Sequence, residues 1–132
     1  MTARRILVVD DNHDSAESLA MLLGLDGNET LVAHDGLEAI EVAAMFKPDV
    51  MLLDLGLPKL NGYQVARTVR ALPSGSQVRL VALTGWDEEE YRASSQAAGF
   101  DAHFLKPIDH AALTRLLAAF ATAEFATGDA AC

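Results

Sequence analysis

The sequence predicts an α/β fold of five β-α units, a parallel sheet covered by helices on both faces. Three observations carry that prediction. Four short apolar runs recur along the chain: Ile6-Leu7-Val8-Val9, Val50-Met51-Leu52-Leu53, Leu80-Val81-Ala82-Leu83 and Ala102-His103-Phe104-Leu105. Runs that are apolar on both faces and bounded by turn residues read as buried strands of a parallel sheet. The stretches between them carry helical periodicity. Finally, Asp10/Asp11, Asp54, Thr84 and Lys106 each stand immediately after one of these runs. They therefore share the carboxyl edge of the sheet, where ligands of open α/β sheets bind.

The elements follow in order. After the first strand, Asp14-Ser15 opens a stretch with Ala16, Leu19, Ala20 and Leu23 at i, i+3, i+4, i+7, which stops at Asp26-Gly27-Asn28. Thr30 to Ala33 is the second strand. Gly36 then leads into a second helix with Leu37, Ile40, Ala43 and Ala44 expected on its inner face, closed by Lys47-Pro48. The third strand ends at Asp54, and the loop from Leu55 to Gly62 is too rich in Gly, Pro and Asn to be helical. A third helix sets Val65, Ala66, Val69 and Leu72 inward and ends at Pro73-Ser74-Gly75. Asp87 and Glu90 form the spacing of a capping box for a fourth helix, which Gly99 terminates. That helix offers only Tyr91 as a large apolar anchor between Glu88 and Ala98, so it buries little and reads either as an ordinary exposed helix or as one whose position responds to small inputs of free energy. Asp109 caps a fifth helix with Leu113, Leu116, Leu117 and Phe120 on one face. One domain over residues 1–121 and a frayed tail over 122–132 are expected.

Composition narrows the function. A chain of 132 residues with net charge -9 and 51% hydrophobic residues fits a single acidic globular domain and disfavours a phosphate-backbone binder, so no direct nucleic-acid partner is expected. The lone cysteine, Cys132, allows no disulfide and no thiolate metal site, which suits a reducing compartment; the cytoplasm is the expected location. No apolar segment approaches the roughly 20 residues that span a bilayer, and the first residues do not read as a signal peptide.

Three carboxylates gathered within a few ångströms repel one another by about 4 kcal/mol per pair at 4 Å and an effective dielectric near 20. Such a group needs a cation. An all-oxygen donor set favours a hard ion, Mg²⁺ first and Mn²⁺ as the alternative. With the Thr84 hydroxyl and the Lys106 ammonium on the same edge, the cluster surrounds a space suited to phosphoryl oxygens. A carboxylate there can itself be the nucleophile and form an acyl phosphate. Singly, each signal has a plain alternative: adjacent aspartates in a turn, a capping threonine, a solvated lysine. Their coincidence at successive strand ends is what selects a site.

The strings Val8-Val9-Asp10-Asp11-Asn12, Asp35-Gly36-Leu37-Glu38-Ala39, Asp49 to Pro58 with Asn61-Gly62-Tyr63, Ala82-Leu83-Thr84-Gly85, and Ala98-Gly99-Phe100-Asp101-Ala102 with Leu105-Lys106-Pro107 together resemble the receiver domain of two-component response regulators, over about Arg5 to Ala121. The resemblance implies a doubly wound, flavodoxin-like (βα)5 fold with strand order 2-1-3-4-5. It implies that Asp54 accepts a phosphoryl group from a histidine kinase or histidine phosphotransfer protein. Asp11, Asp54 and the Gly56 backbone carbonyl would hold Mg²⁺, with Asp10 acting through water. Thr84 and Lys106 would contact the phosphoryl group, and the Lys106-Pro107 peptide bond would be cis. The fourth helix, fifth strand and fifth helix would form the surface read by a downstream protein. By the same resemblance the domain catalyses its own phosphorylation and dephosphorylation and turns over no separate metabolite.

Several positions depart from the family pattern. Gly56, two residues past the acceptor, offers only backbone, while Trp86 beside Gly85 is bulky and is expected to cover the site partly and slow hydrolysis. His103 occupies the place of the family's switch aromatic, either as a structural histidine or as a modified switch. His13, His34 and His110 lack ligand spacing and read as surface or turn residues. Two other classes compete: a pseudo-receiver that binds partners without phosphate, and an Mg²⁺-dependent phosphohydrolase with an aspartyl nucleophile, which would want a general acid where Gly56 stands. A dinucleotide fold lacks its glycine-rich first turn. No output domain lies within these residues, which fits a single-domain regulator and equally the receiver segment of a hybrid histidine kinase.

Overall fold

Each strand run of the sequence becomes a strand because its side chains find apolar cover on both faces. The computed structural model describes residues 4–55, 62–72, 78–84, 99–105 and 109–119. Its elements are β1 (Arg5–Val9), α1 (His13–Leu25), β2 (Glu29–Ala33), α2 (Gly36–Phe46), β3 (Val50–Asp54), α3 (Gly62–Arg70), β4 (Arg79–Thr84) and β5 (Ala102–Leu105), followed by a helix over 110–119. The five strands form one parallel sheet in the order β2-β1-β3-β4-β5, the flavodoxin-like arrangement expected above.

Alternation along the strands divides the core in two. Ile6, Val8, Val50, Leu52, Val81 and Leu83 point to the side covered by α1 and by Leu113 and Leu117 of helix 110–119. Leu7, Val9, Met51, Leu53, Leu80 and Ala82 point to the side covered by α2 and α3. Fully burying a side chain of this size contributes about 1.5–3 kcal/mol, so the two layers fix the sheet between them. Among the described residues no helix is long and apolar enough to cross a membrane.

The helices begin where side chains can satisfy the first backbone N–H groups. Asn12 caps α1 by accepting the Ser15 N–H at 3.0 Å, so this helix starts ahead of the expected Asp14-Ser15. Asp35 caps α2 by accepting the Glu38 N–H at 2.8 Å, and the Glu38 carboxylate accepts the His34 N–H at 2.7 Å in return. The inner face of α2 also differs from expectation. Gly36, Ala39 and Ala43 are buried, whereas Leu37 is 49% exposed and Ala44 is exposed. Small residues let this helix approach the sheet closely, and the larger leucine is turned outward. The inner faces of α1 and α3 match the expected residues: Ala16, Ala20 and Leu23 are buried in the first, Val65, Ala66 and Val69 in the second. Gly62, expected in the loop, is instead the first residue of α3. The Asp109 carboxylate accepts the Ala111 N–H at 3.1 Å at the start of helix 110–119. The expected fourth helix, Phe120 and the tail lie outside the described residues.

At the amino edge of the sheet, charges cross-link the strand entries. Arg70 leaves the last turn of α3 and donates to the carbonyls of Val78 and Gly99 and to Asp101 Oδ2 at 2.9 Å. The same carboxylate oxygen accepts the Leu80 N–H at 2.8 Å. Gly99 adopts a φ of 99°, and a side chain there would meet the Arg70 Nε at 3.1 Å. Asp49 accepts the Arg5 N–H at 2.8 Å, and Arg5 also pairs with Glu29.

Candidate functional site

The first turn of the site is built by the Asp-Asp-Asn sequence itself. The Asp10 N–H donates to Ala33 O at 3.1 Å, carrying the β1 to β2 ladder one residue further. Asp10 Oδ1 then accepts the Asn12 N–H at 3.0 Å, and Asn12 caps α1. Short polar side chains that bond backbone N–H groups two or three residues on are what fix such turns. Asp11 is held between these two bonded residues and is exposed.

Parallel register delivers the rest. Asp54 is the last residue of β3 and pairs with Leu83; Leu55 N–H then donates to Leu83 O at 3.1 Å. Thr84, one residue further along β4, pairs with Leu105 at the end of β5. Carboxylate oxygens of Asp10, Asp11 and Asp54 all lie within 4.8 Å of one another. Asp10 is 5% exposed and Thr84 3%, unusual burial for such groups unless they are used. Hard oxygen donors at this spacing fit Mg²⁺, whose ligands stand about 2.0 to 2.1 Å from the ion and so about 3 to 4 Å from each other. The same three groups without a cation would repel strongly.

Thus Asp10, Asp11, Asp54 and Thr84 meet at one edge, as the sequence reading expects. Lys106 directly follows Leu105 at the end of β5 and, with Gly56, Gly85, Trp86 and the Lys106-Pro107 bond, lies outside the described residues. His103 stands opposite Ala82 on the α3 side of the sheet, half-buried with both ring nitrogens buried.

Two features escaped the sequence reading. The His13 and His34 rings stack with centroids 3.6 Å apart and planes 5° apart, and His34 Nδ1 lies 3.1 Å from Asp10 O. Both histidines follow the ends of strands β1 and β2, which are neighbours, so strand order rather than ligand spacing was the available signal. The second feature is Gly62. Its N–H donates to Leu55 O at 3.1 Å, and a Cβ there would fall 2.9 Å from Asp54 O.

A parallel sheet in this order with this acidic edge defines a phosphorelay-type receiver. The model of the response regulator receiver domain matches residues 6–118, and the chain belongs to that family. It is 40% identical over 114 residues to the response regulator MprA of Mycobacterium ulcerans, covering 86% of this chain and 47% of that protein. The match to MprA of Mycobacterium avium is 39% over 114 residues, 86% of this chain and 48% of that protein. The chain therefore spans about half the length of these curated relatives. Among solved structures, the receiver domain of the sensor histidine kinase PA1611 of Pseudomonas aeruginosa, with a magnesium ion in its active site cleft, superimposes with a TM-score of 0.82 at 30% identity, covering 90% of this chain and 98% of that one. The chemotaxis response regulator CheY4 of Vibrio cholerae gives 0.84 at 25% identity, over 90% and 99%. The chain is a receiver domain of two-component signal transduction.

Proposed function

We propose that Asp54 is the phosphoacceptor of this receiver and that residues 1–121 form the working domain, with 122–132 a tail. The single observation that carries the reading is the convergence of Asp10, Asp11 and Asp54 on one point at the carboxyl edge. An Asp54 carboxylate oxygen attacks the phosphorus of a phosphohistidine on a kinase or phosphotransfer protein. As the O–P bond forms the P–N bond breaks, the imidazole leaves neutral because its other ring nitrogen already carries a proton, and an aspartyl phosphate remains. Asp11, Asp54 and the Gly56 carbonyl would hold Mg²⁺, with Asp10 through water, and the ion would neutralise the gathered negative charge. Mn²⁺ can replace it. The Thr84 hydroxyl donates to a phosphoryl oxygen and Lys106 pairs with another, so the transferred group is positioned by chain atoms from three strand ends.

Phosphorylation adds about two negative charges at this edge. Thr84, with Gly85 and Trp86 next in sequence and His103 on β5, turns that charge into a shift between two states of the domain. A downstream protein reads the fourth helix, β5 and fifth helix surface in the cytoplasm, without direct nucleic-acid contact by this domain and without turnover of a separate substrate.

The test is intact mass after incubation with acetyl phosphate and MgCl₂. Wild type gains one phosphoryl group and Asp54→Ala gains none. A wild-type chain that stays unmodified would leave a phosphate-independent interaction module as the better reading.

A further inference from the structure

Gly62 sits where the two ends of a loop meet. The loop leaves β3 at Leu55, directly after the phosphoacceptor, and returns at Gly62, the first residue of α3; the Gly62 N–H to Leu55 O bond closes its neck. At this neck the start of the helix lies against the backbone of Asp54 and Leu55 and one Leu55 methyl. A Cβ at position 62 would stand 2.8 Å from Leu55 Cα, 2.8 Å from Leu55 Cδ2 and 2.9 Å from Asp54 O, where ordinary contact begins at 3.4 Å. The leucine methyl could rotate away. The other two atoms are backbone, Asp54 O at the end of β3 and Leu55 Cα one residue beyond it; Asp54 pairs with Leu83 of β4, and the Leu55 N–H donates to Leu83 O.

We infer that Gly62 is a positioning residue for phosphoryl transfer: its missing side chain lets α3 seat against the end of β3 and so fixes where the Asp54 carboxylate stands relative to Asp10 and Asp11. Any residue with a Cβ forces the strand end or the helix start to yield by roughly half an ångström, which is the tolerance of a working site. The carboxylates already lie within 4.8 Å of one another, so a displacement of that size changes the cation geometry and the line of attack together. This inference rests on the phosphoacceptor reading.

The experiment compares Gly62→Ala with Val65→Ala in the full 132-residue chain. Val65 is fully buried in the same helix and belongs to the core layer under α2 and α3. Three quantities are read: the rate of phosphoryl gain from acetyl phosphate, Mg²⁺ affinity by calorimetric titration, and the melting temperature. Gly62→Ala is expected to slow phosphoryl gain about tenfold or more and to weaken Mg²⁺ binding several-fold. Val65→Ala is expected to lower the melting temperature at least as much while leaving rate and affinity within about twofold. Leu55→Ala/Gly62→Ala removes the movable methyl and keeps both backbone contacts, so it should stay impaired. Wild-type rate and affinity in Gly62→Ala, an equal loss in Val65→Ala, or recovery in the double variant would each overturn the inference. A Gly62→Ala chain that no longer folds overturns it too, since the close approach then serves folding alone. If wild type accepts no phosphoryl group, the phosphoacceptor reading fails instead, and the Mg²⁺ titration still judges Gly62.

Discussion

The two edges of the sheet both concentrate charge, and they do so in opposite ways. At the amino edge opposite charges are paired: Arg70 and Arg79 with Asp101, Arg5 with Glu29. At the carboxyl edge three like charges converge, and two polar side chains, Asp10 and Thr84, are more than nine-tenths buried. Matched charge holds strand entries together. Gathered like charge costs stability, a cost that a bound cation would offset.

The largest effect separating the edges should come from the amino side. Arg70→Ala removes the guanidinium from the Gly99 and Val78 carbonyls and leaves Asp101 with Arg79 at 3.8 Å; the Arg70 and Asp101 side chains are 23% and 27% exposed. A loss of about 3 kcal/mol in unfolding free energy is expected from denaturant titration. Mg²⁺ affinity, a property of the other edge, should stay within about twofold. A comparable loss of affinity would show that the two edges are not independent.

The next effect belongs to the carboxyl edge and has the opposite character. MgCl₂ at about 100 times its dissociation constant should stabilise the wild type by about 2.7 kcal/mol relative to EDTA. Asp54→Asn should lose most of that increment, yet without metal it should be the more stable protein by about 1 kcal/mol, because one member of a repelling trio is gone. If Asp54→Asn is instead destabilised in EDTA, the carboxylate has a structural role and the contrast between the edges is weaker than drawn.

How much of this was legible in the sequence follows from which forces are local. The strands were readable because a buried parallel strand needs an unbroken apolar run, and Asp10, Asp11, Asp54 and Thr84 were readable because each directly follows one. The inner face of α2 was not. Leu37 and Ala39 are both apolar, and which one turns inward depends on how closely the helix approaches the sheet, a tertiary quantity. The stacked His13 and His34 were likewise invisible to spacing, since their meeting depends on β1 and β2 being neighbours. Gly62 could be read as a turn residue, but its contact with the Asp54 carbonyl follows only from the packing of α3.

The smallest effect lies at the end of α2, on the amino side. Lys47 caps that helix at φ 52° and ψ 63°, its N–H donating to Ala43 O at 3.0 Å. A residue with a Cβ in this left-handed conformation costs about 1 kcal/mol relative to glycine, which adopts it freely. The side chain is exposed, so the strain is not offset by packing. Lys47→Gly should therefore raise the melting temperature by about 4 °C, and phosphoryl gain and Mg²⁺ affinity should not move. Because the substitution removes one positive charge from the amino edge, an unchanged or lowered melting temperature would mean that this cation takes part in the charge matching there, which would extend the paired network from the strand entries to the helix end.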